Sequence, residues 1–362
     1  MENQERHFFA GGNTAKGFRH FYGSILQGID PLFLLTGGPG AGTSDIIRMV
    51  GEAALDRGLN VEWIHTPLNR ERYDGVLIPA LQMGVVDNSA PYCYEPVAPG
   101  VIEHMIHAES VWDSSRLAVH KDEIVRLSQS VSDYRKQATQ AFAKALQIHD
   151  DWEHLYISNM NMDAATEVTR EMIQTLLGEE TQQRSPRIRH QYFGAATCIG
   201  AVDYIQDLTK TITKRYFIKG RPGSGKSTML KKIVSAADQK GYDAEVFHCG
   251  FDPNSLDMVV IPERSVAIFD STAPHEYFPD RETDEIVDMY TRTIVPGTDE
   301  RFARELTEIK SKYAGKMGEA TKLLAKANEQ QERLIALYQA ASDLEATANL
   351  AKQLIRKIDE LM

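Results

Sequence analysis

The sequence predicts two α/β domains in tandem, each built on a mostly parallel sheet that is flanked by helices and extended by a helical hairpin. Three observations support this fold class. The chain repeats itself, each copy has an apolar run leading into a glycine-rich loop, and each copy ends in a long segment of helical periodicity. The 362 residues suffice for two domains of ordinary size, and a composition of 42% hydrophobic and 25% charged residues is that of a globular protein.

The repeat appears when the sequence is shifted against itself, which aligns 7–96 with 190–279 without a gap. About a quarter of the aligned positions are identical. Beyond that span the register drifts slightly, so that 143–145 match 325–327. We therefore expect one domain at 1–182 and a second at 183–362, joined near the polar stretch 179–189. Identical pairs include His7 and His190, Gly37 and Gly220, His65 and His248, Asp74 and Asp257, Asp87 and Asp270, Ala90 and Ala273, and Pro91 and Pro274.

Each copy is predicted to open with a helical stretch, followed by an apolar strand that runs into the glycine loop. In the second copy this strand lies at 216–218. A helix follows at 229–240, with Gly241 as its C-terminal cap, and the next strand is expected at 244–249. The first copy repeats these elements in the same order and at the same spacing.

Two further apolar runs, 258–261 and 266–269, lie close together in the second copy. Parallel strands need a crossover of about a dozen residues, so the short link between these runs predicts an antiparallel hairpin or a break. We expect the second run to lie parallel to strand 216–218, which places Asp270 at the carboxyl edge of the sheet.

The segments 116–178 and 300–361 are predicted to be helical because apolar residues recur in them at spacings of three and four. Two interpretations remain open. Each segment forms a helical hairpin that packs on its own domain or on its twin, or it forms an arm that binds a partner or closes as a lid.

The glycine loop of the second copy matches the pattern G-x-x-x-x-G-K-[ST] in full. Its glycines let backbone N–H groups turn inward around phosphate oxygens, and the N-terminus of the following helix adds a positive dipole end. Lys226 is expected to reach the β- and γ-phosphates and Ser227 to ligate Mg²⁺. The predicted phosphate-binding residues are Gly220, Arg221, Pro222, Gly223, Ser224, Gly225, Lys226, Ser227 and Thr228.

These residues resemble the P-loop NTPase superfamily, and the tandem arrangement resembles a bacterial group of duplicated, nucleotide-kinase-like ATPases. The resemblance implies a P-loop fold in each half and Mg²⁺ with ATP or GTP as the ligand. It covers the α/β part of each half and does not identify a substrate. Asp270 resembles the Walker B aspartate that holds Mg²⁺ through water; the alternative is a buried or capping aspartate.

No glutamate follows Asp270, since the next residues are Ser271 and Thr272. Many dedicated ATPases of the superfamily use that glutamate to activate water, so its absence favours phosphoryl transfer to a substrate. Asp252 stands where proteins that resemble nucleoside kinases often carry a catalytic base. We therefore expect kinase-like transfer to a small acceptor, with Lys226, Asp252 and Asp270 as catalytic residues. An ATPase that changes the conformation of a partner and a nucleotide sensor with negligible turnover remain alternatives.

The first copy carries a degenerate loop at 37–44, which keeps Gly37, Gly42 and Ser44 but has Thr43 in place of the lysine. Asp87 preserves the type of Asp270, and Asn69 stands for Asp252. The stretch 210–232 sums to +8, whereas 27–49 sums to −1. These differences predict tight triphosphate binding in the second copy alone.

Several other polar residues of the second copy are weaker candidates. His248 and Asp257 are expected to be structural, and Cys249 is expected to be a small core residue, with a reactive thiol as the alternative. His275 is equally consistent with phosphate sensing and with loop capping. Arg264 and Arg281 are the nearest candidates for an arginine that stabilises transferring charge.

Composition narrows the partners and the compartment. The net charge of −11 disfavours a general nucleic-acid-coating role. No stretch approaches the length of a membrane span, and the N-terminal residues lack the pattern of a secretory signal. Three distant cysteines, Cys93, Cys198 and Cys249, favour a reducing cytoplasm. The expected partners are a nucleoside triphosphate and a small acceptor or a protein, and a homo-oligomer is left open.

Overall fold

A computed structural model of the chain describes residues 4–89 and 94–362; Ala90, Pro91 and Cys93 lie outside the described residues. The elements of the first half are β1 (Glu5–Phe8), β2 (Gly11–Thr14), β3 (Gly17–His20), α1 (Tyr22–Ile25), β4 (Leu32–Thr36), α2 (Thr43–Asp56), β5 (Val61–His65), β6 (Tyr73–Ile78), β7 (Met83–Asp87), β8 (Glu103–His107), α3 (Ser114–Val119), α4 (Lys121–Ile157) and α5 (Met162–Leu177). Those of the second half are β9 (Ile188–Gln191), β10 (Gly194–Thr197), β11 (Gly200–Asp203), α6 (Ile205–Leu208), β12 (Lys214–Lys219), α7 (Lys226–Lys240), β13 (Ala244–His248), β14 (Leu256–Ile261), β15 (Val266–Asp270), β16 (Glu285–Asp288), α8 (Met289–Thr293), α9 (Thr298–Arg301), α10 (Ala303–Ala340) and α11 (Leu344–Leu361).

Within the described residues, each half forms a six-stranded mixed sheet and a separate two-stranded hairpin. The strand orders are β1-β5-β6-β7-β4-β8 and β9-β13-β14-β15-β12-β16, so the two halves share one topology. One strand of each sheet, β6 or β14, runs antiparallel to both of its neighbours, and the remaining pairings are parallel. The sheets are therefore mixed, with five strands in one direction.

The register of the second sheet confirms two local expectations. β14 and β15 pair antiparallel across their short link. β15 lies parallel to β12, with Asp270 opposite Ile218 at the carboxyl edge. Helix α7 follows the glycine loop, buries Met229 and Ile233 against the sheet and ends at Gly241, whose φ of 77° is the left-handed conformation expected of a glycine cap.

The expected helical opening of each half is wrong. Each half instead opens with an edge strand, β1 or β9, that pairs parallel with β5 or β13, and then with a hairpin. Helix is confined there to α1 and α6, each a single turn. In β9 the burial alternates, with Arg189 and Gln191 buried, which is the period of a strand and not of a helix.

The long helices exchange between the halves. Instead of folding back along α5, α4 packs along α10. Helix α5 packs on α7 and α8 of the second half, where Val168, Met172 and Leu176 join the core. Helix α11 packs on α2 of the first half, where Leu354 and Ile358 join the core. The predicted helices therefore form, but each terminal helix serves the opposite sheet.

The length of α4 explains this exchange. Its 37 residues extend about 55 Å at 1.5 Å per residue, which carries the chain from the first sheet across to the second. Asn161 then caps α5 by accepting from Ala164 N at 3.0 Å, and Asp343 caps α11 in the same way. The two helical arms, α4–α5 and α10–α11, are thus equivalent in the repeat. The last helix of each arm packs on the other half of the chain.

The two halves are joined through a shared core and a buried charge network. Phe9 and Tyr192 exchange backbone hydrogen bonds of 3.0 Å in each direction, so the edges of the two sheets meet. Beside this junction Arg189 donates to Glu62 at 2.6 Å, and Arg6 bridges Glu62 at 3.1 Å and Glu245 at 2.6 Å. The two halves are therefore packed against one another along this junction.

No helix among the described residues is both long enough and apolar enough to cross a membrane.

Candidate functional site

The glycine loop 220–227 turns from the carboxyl end of β12 into α7. Gly223 and Gly225 have φ values of 74° and 87°, which a residue with a Cβ adopts only at a cost. Ser224 closes the turn, since its backbone N–H and its hydroxyl both donate to Arg221 O, at 3.1 and 2.8 Å. The loop is therefore held in shape by its own backbone and by one buried serine.

Lys226, Ser227 and Asp270 converge at this edge of the sheet. The Lys226 ammonium is largely buried; it donates to Arg221 O at 2.9 Å and lies 3.5 Å from Asp270 Oδ2. Ser227 Oγ accepts from Leu256 N at 3.0 Å, and Asp270 Oδ1 accepts from the Thr272 hydroxyl at 2.7 Å. The side chains of Lys226, Ser227 and Asp270 thus each place a polar atom at the opening of the glycine loop.

Asp252 lies in the β13–β14 connection, on the side of the site that faces the first half. Its carboxylate pairs with Lys16 at 3.0 Å, a residue of the β2–β3 turn of the first half. Ser255 and the backbone N–H of Asn254 donate to the same carboxylate at 3.2 and 3.3 Å. Asp252 is therefore oriented by its own loop and charge-paired across the junction.

Helix α4 of the first half forms the roof of this site. His149 and Glu153 of this helix are partly buried and Asp150 is exposed, and one ligand-type atom of each lies within 4.8 Å of the others. Burial and the positive charge of Lys226 lower the pKa of His149. Burial and the charge of Asp150 raise the pKa of Glu153, and burial and the charge of Asp252 raise that of Asp150. Acidic groups from both halves therefore lie near Lys226 and Lys16 at this site.

The other predicted loop residues have distinct positions. The Arg221 guanidinium turns toward α8 and α9. It pairs with Asp299 at 3.0 Å and lies over the ring of Tyr290 at 4.8 Å. Tyr156 of α4 donates to the same Asp299 at 2.6 Å. Thr228 is exposed in the first turn of α7. Arg221 thus contributes its backbone to the loop, while its side chain ties the loop to the roof.

Neither nominated arginine lies at the site, which corrects the sequence-based expectation. Arg264 precedes β15, at the end of the strand opposite Asp270, and pairs with Glu180 at 3.3 Å. Arg281 donates to the carbonyl of Ile212 at 2.9 Å, before the start of β12. Strands of five or six residues are about 16–20 Å long, so both side chains belong to the far edge of the sheet.

The remaining polar candidates have structural partners. His248 contacts His190 at 2.9 Å and Pro253 O at 2.8 Å, and burial lowers its pKa to about 4, so it is neutral. His275 bonds Asp203 at 2.7 Å, which is the loop-capping alternative. Burial and Asp257 raise the pKa of the Cys249 thiol well above its usual range, which opposes reactivity. Burial and Asp270 raise the pKa of Asp257 to about 6.

The first glycine loop has a backbone shape similar to that of the second loop but lacks its lysine. Gly40 and Gly42 have φ values of 74° and 76°, matching the second loop. Thr43, in place of the lysine, donates its hydroxyl to Asp87 at 2.6 Å, and Ser44 Oγ accepts from Tyr73 N at 2.9 Å. The hydroxyl of Thr43 therefore satisfies the carboxylate that faces the lysine in the other copy.

The positive excess of 210–232 does not converge on the loop as the sequence sum suggested. Most of its members are paired elsewhere or exposed: Lys210, Lys231 and Lys232 are exposed, Lys214 pairs with Glu285, Arg215 pairs with Asp280 and Asp284, and Lys219 donates to the carbonyls of Ser271 and Tyr277. The charge difference between the loops is thus carried mainly by Lys226.

Comparisons with family models, with curated proteins and with solved structures find nothing that matches this chain. Function is therefore inferred from the residues of the site.

The residues that sequence reasoning missed all come from the other half: Lys16, His149, Asp150 and Glu153. The available signal was the repeat itself. The three helical residues have Gln331, Glu332 and Ile335 as their twins in the repeat, and Ile335 lies against the first loop as Glu153 lies against the second. Of the three pairs, Glu153 and Ile335 form the one in which a polar residue has an apolar twin.

Gly223 gives a direct test of the roof. A methyl group there would overlap the carbonyl oxygen of Glu153 and lie 3.0 Å from its Cα, so α4 would have to move. Gly297 has a similar φ of 81° with nothing within 4 Å of an added Cβ, which makes it the matched control. We expect Gly297→Ala to lower the free energy of unfolding by about 1 kcal/mol, and Gly223→Ala by at least about 2 kcal/mol more. Equal losses in urea unfolding would contradict the packing of α4 on the loop.

Proposed function

We propose that the second glycine loop binds a nucleoside triphosphate with Mg²⁺ and that the site transfers its terminal phosphoryl group to a small acceptor. The observation that carries this proposal is the convergence of Lys226, Ser227 and Asp270 at the carboxyl edge of β12 and β15. A lysine charge and the N-terminus of α7 are suited to stabilising phosphate charge.

The donor set fits a hard divalent cation. Ser227 Oγ and Asp270 are oxygen donors of the kind that Mg²⁺ prefers, and the charge of Asp270 acts on the nearby carboxyl of Asp257. Ser227 and Asp270 would hold the ion, which when bound neutralises charge on the β- and γ-phosphates. Asp257 raises the local negative charge and so favours retention of a cation.

In the proposed reaction, Asp252 acts on the acceptor molecule. The acceptor oxygen forms a bond to the γ-phosphorus, the bond from that phosphorus to the bridging oxygen breaks, and the nucleoside diphosphate leaves with the electron pair. The acceptor proton passes to the Asp252 carboxylate. Lys16, which pairs with this carboxylate at 3.0 Å, orients it. Helix α4 covers the loop at Gly223, and covering a site in this way favours transfer over hydrolysis.

Asp252→Asn is expected to lower phosphoryl transfer by roughly 10²-fold or more while preserving nucleotide affinity. The amide keeps the shape of the side chain but does not accept a proton. The matched control is Asn69→Asp in the first half, which should leave transfer unchanged because Asn69 belongs to the other loop. An unchanged transfer rate in Asp252→Asn would return Asp252 to a loop-capping role.

The proposed function is tested by following the label of γ-labelled ATP and GTP in purified protein, with and without nucleosides, nucleotides and sugars. We expect little basal hydrolysis and label transfer to an acceptor of one of these classes. Rapid hydrolysis without acceptors, or stimulation by an added protein without transfer, would contradict the kinase assignment. That outcome would favour the ATPase alternative, for which α4 supplies a mechanical link because it roofs the second loop and packs along α10.

A further inference from the structure

A cavity of about 820 Å³ lies in front of the first glycine loop, between the first half and helix α10. Its floor is the loop 37–44 and the β5–β6 connection, and its walls are α4 near residues 128–142 and α10 near residues 324–339. Phe18, Phe142 and Leu324 give it an apolar surface. A volume of this size with mostly apolar walls and a few polar groups is typical of sites for small organic molecules.

The repeat shows why this space is open in one half and filled in the other. The equivalent region of the second half is occupied by a cluster of aromatic rings: His149, Trp152, Phe251 and Tyr313, with centroids 5.7 to 6.2 Å apart. The residues at the matching positions are Gln331, Leu334, Leu68 and Val131, which are smaller or more flexible and line the cavity. The cavity is thus built by substitution at four equivalent positions, not left by loose packing.

Three buried polar atoms in the cavity wall lack a hydrogen-bond partner within the part of the chain that the structure describes: Asp74 Oδ2, Ser89 Oγ and Asn328 Oδ1. Asp74 is only 5% exposed, and its other oxygen accepts from the Thr66 hydroxyl at 2.6 Å. Leaving a buried polar atom without a partner is unfavourable, so three of them lining one cavity point to groups that a bound molecule could satisfy.

Arg135 and Lys136 line the cavity, and two other charged groups around it are compensated within the protein. Arg72 pairs with Glu332 at 2.7 Å, and Asp87 receives the Thr43 hydroxyl. Burial raises the pKa of Asp74 to about 7, so this carboxyl is partly protonated at neutral pH. The first loop has no lysine to meet a phosphate. These walls suit a neutral molecule that offers N–H and O–H donors to the three oxygens and a flat apolar face to Phe18 and Phe142.

We infer that the cavity of the first half is a binding site for an uncharged, nucleoside-like molecule, held by hydrogen bonds to Asp74, Ser89 and Asn328. Its ligand differs from that of the second half in carrying no phosphate. The site stands on its own geometry and does not depend on the proposed phosphoryl transfer.

The test uses adenosine, guanosine, cytidine and uridine as probes in calorimetric titration of the full chain. We expect saturable binding of at least one nucleoside with a Kd below about 1 mM, retained when a non-hydrolysable ATP analogue with Mg²⁺ is saturating.

Val131→Tyr, which copies Tyr313, fills the cavity and should weaken binding at least tenfold. Asn328→Leu copies Leu146 and removes one acceptor, which should weaken binding about tenfold. Val125→Tyr, at an exposed position of the same helix, is the matched control and should leave binding within about twofold.

Three results would overturn the inference: no nucleoside binds below about 1 mM, the ATP analogue displaces the nucleoside, or Val131→Tyr binds as the unmodified chain does. If Val131→Tyr fails to fold, as judged by circular dichroism and thermal unfolding, Leu68→Phe supplies a second filling variant that copies Phe251.

Discussion

Lys226→Ala is expected to lower nucleotide turnover by at least about 10²-fold while leaving the fold intact. The lysine contacts a backbone carbonyl and Asp270 at the mouth of the loop, so its charge acts on phosphate and not on the hydrophobic core. Turnover is measured with saturating ATP or GTP and Mg²⁺, and folding is checked by thermal unfolding.

Thr43→Ala in the first loop is the matched control for this experiment. Its hydroxyl serves Asp87 within the first half, so turnover by the second site should be unchanged. Turnover by Lys226→Ala within about threefold of the unmodified chain would show that phosphate chemistry does not depend on this lysine.

Glu62→Gln is expected to lower the free energy of unfolding by about 3–5 kcal/mol, because it leaves the buried guanidinium of Arg189 without its carboxylate. Burial by itself would raise the pKa of Glu62, but the charges of Arg189 and Arg6 outweigh it and hold the pKa below 4.5. This contribution is therefore complete above pH 4.5 and is lost as the pH falls through the folded pKa.

The control is Glu245→Gln, the equivalent position in the second half. Its partner Arg6 is 29% exposed, against 10% for Arg189, and Arg6 retains Glu62. Equilibrium urea unfolding should therefore show a loss of only about 1 kcal/mol for this variant. Equal losses in the two variants would mean that the burial of Arg189 does not set the strength of the network.

Local sequence signals predicted the elements around the second loop because each was decided within a few residues. The link between β14 and β15 is too short for a parallel crossover, and Gly241 is the residue type that a left-handed helix end requires. The position of Asp270 followed from the same reasoning. The opening strand was missed because its burial depends on an edge position in a sheet that forms only once the later strands have paired.

The exchange of the arms could not be deduced from one sequence. The apolar face of α5 would be buried equally by α2 or by α7, since the repeat gives both helices the same packing surface. Which of the two is chosen depends on the length and direction of α4, a property of the folded chain. For the same reason His149 and Glu153 gave no local signal as neighbours of a loop that lies far later in the sequence.

The central claim is that the second glycine loop, and not the first, binds nucleoside triphosphate. Calorimetric titration with a non-hydrolysable ATP analogue and Mg²⁺ tests it most directly. About one tight site per chain is expected, with an affinity that falls tenfold or more in Lys226→Ala and is unchanged in Thr43→Ala. Two tight sites per chain, or one tight site that survives Lys226→Ala, would contradict the claim.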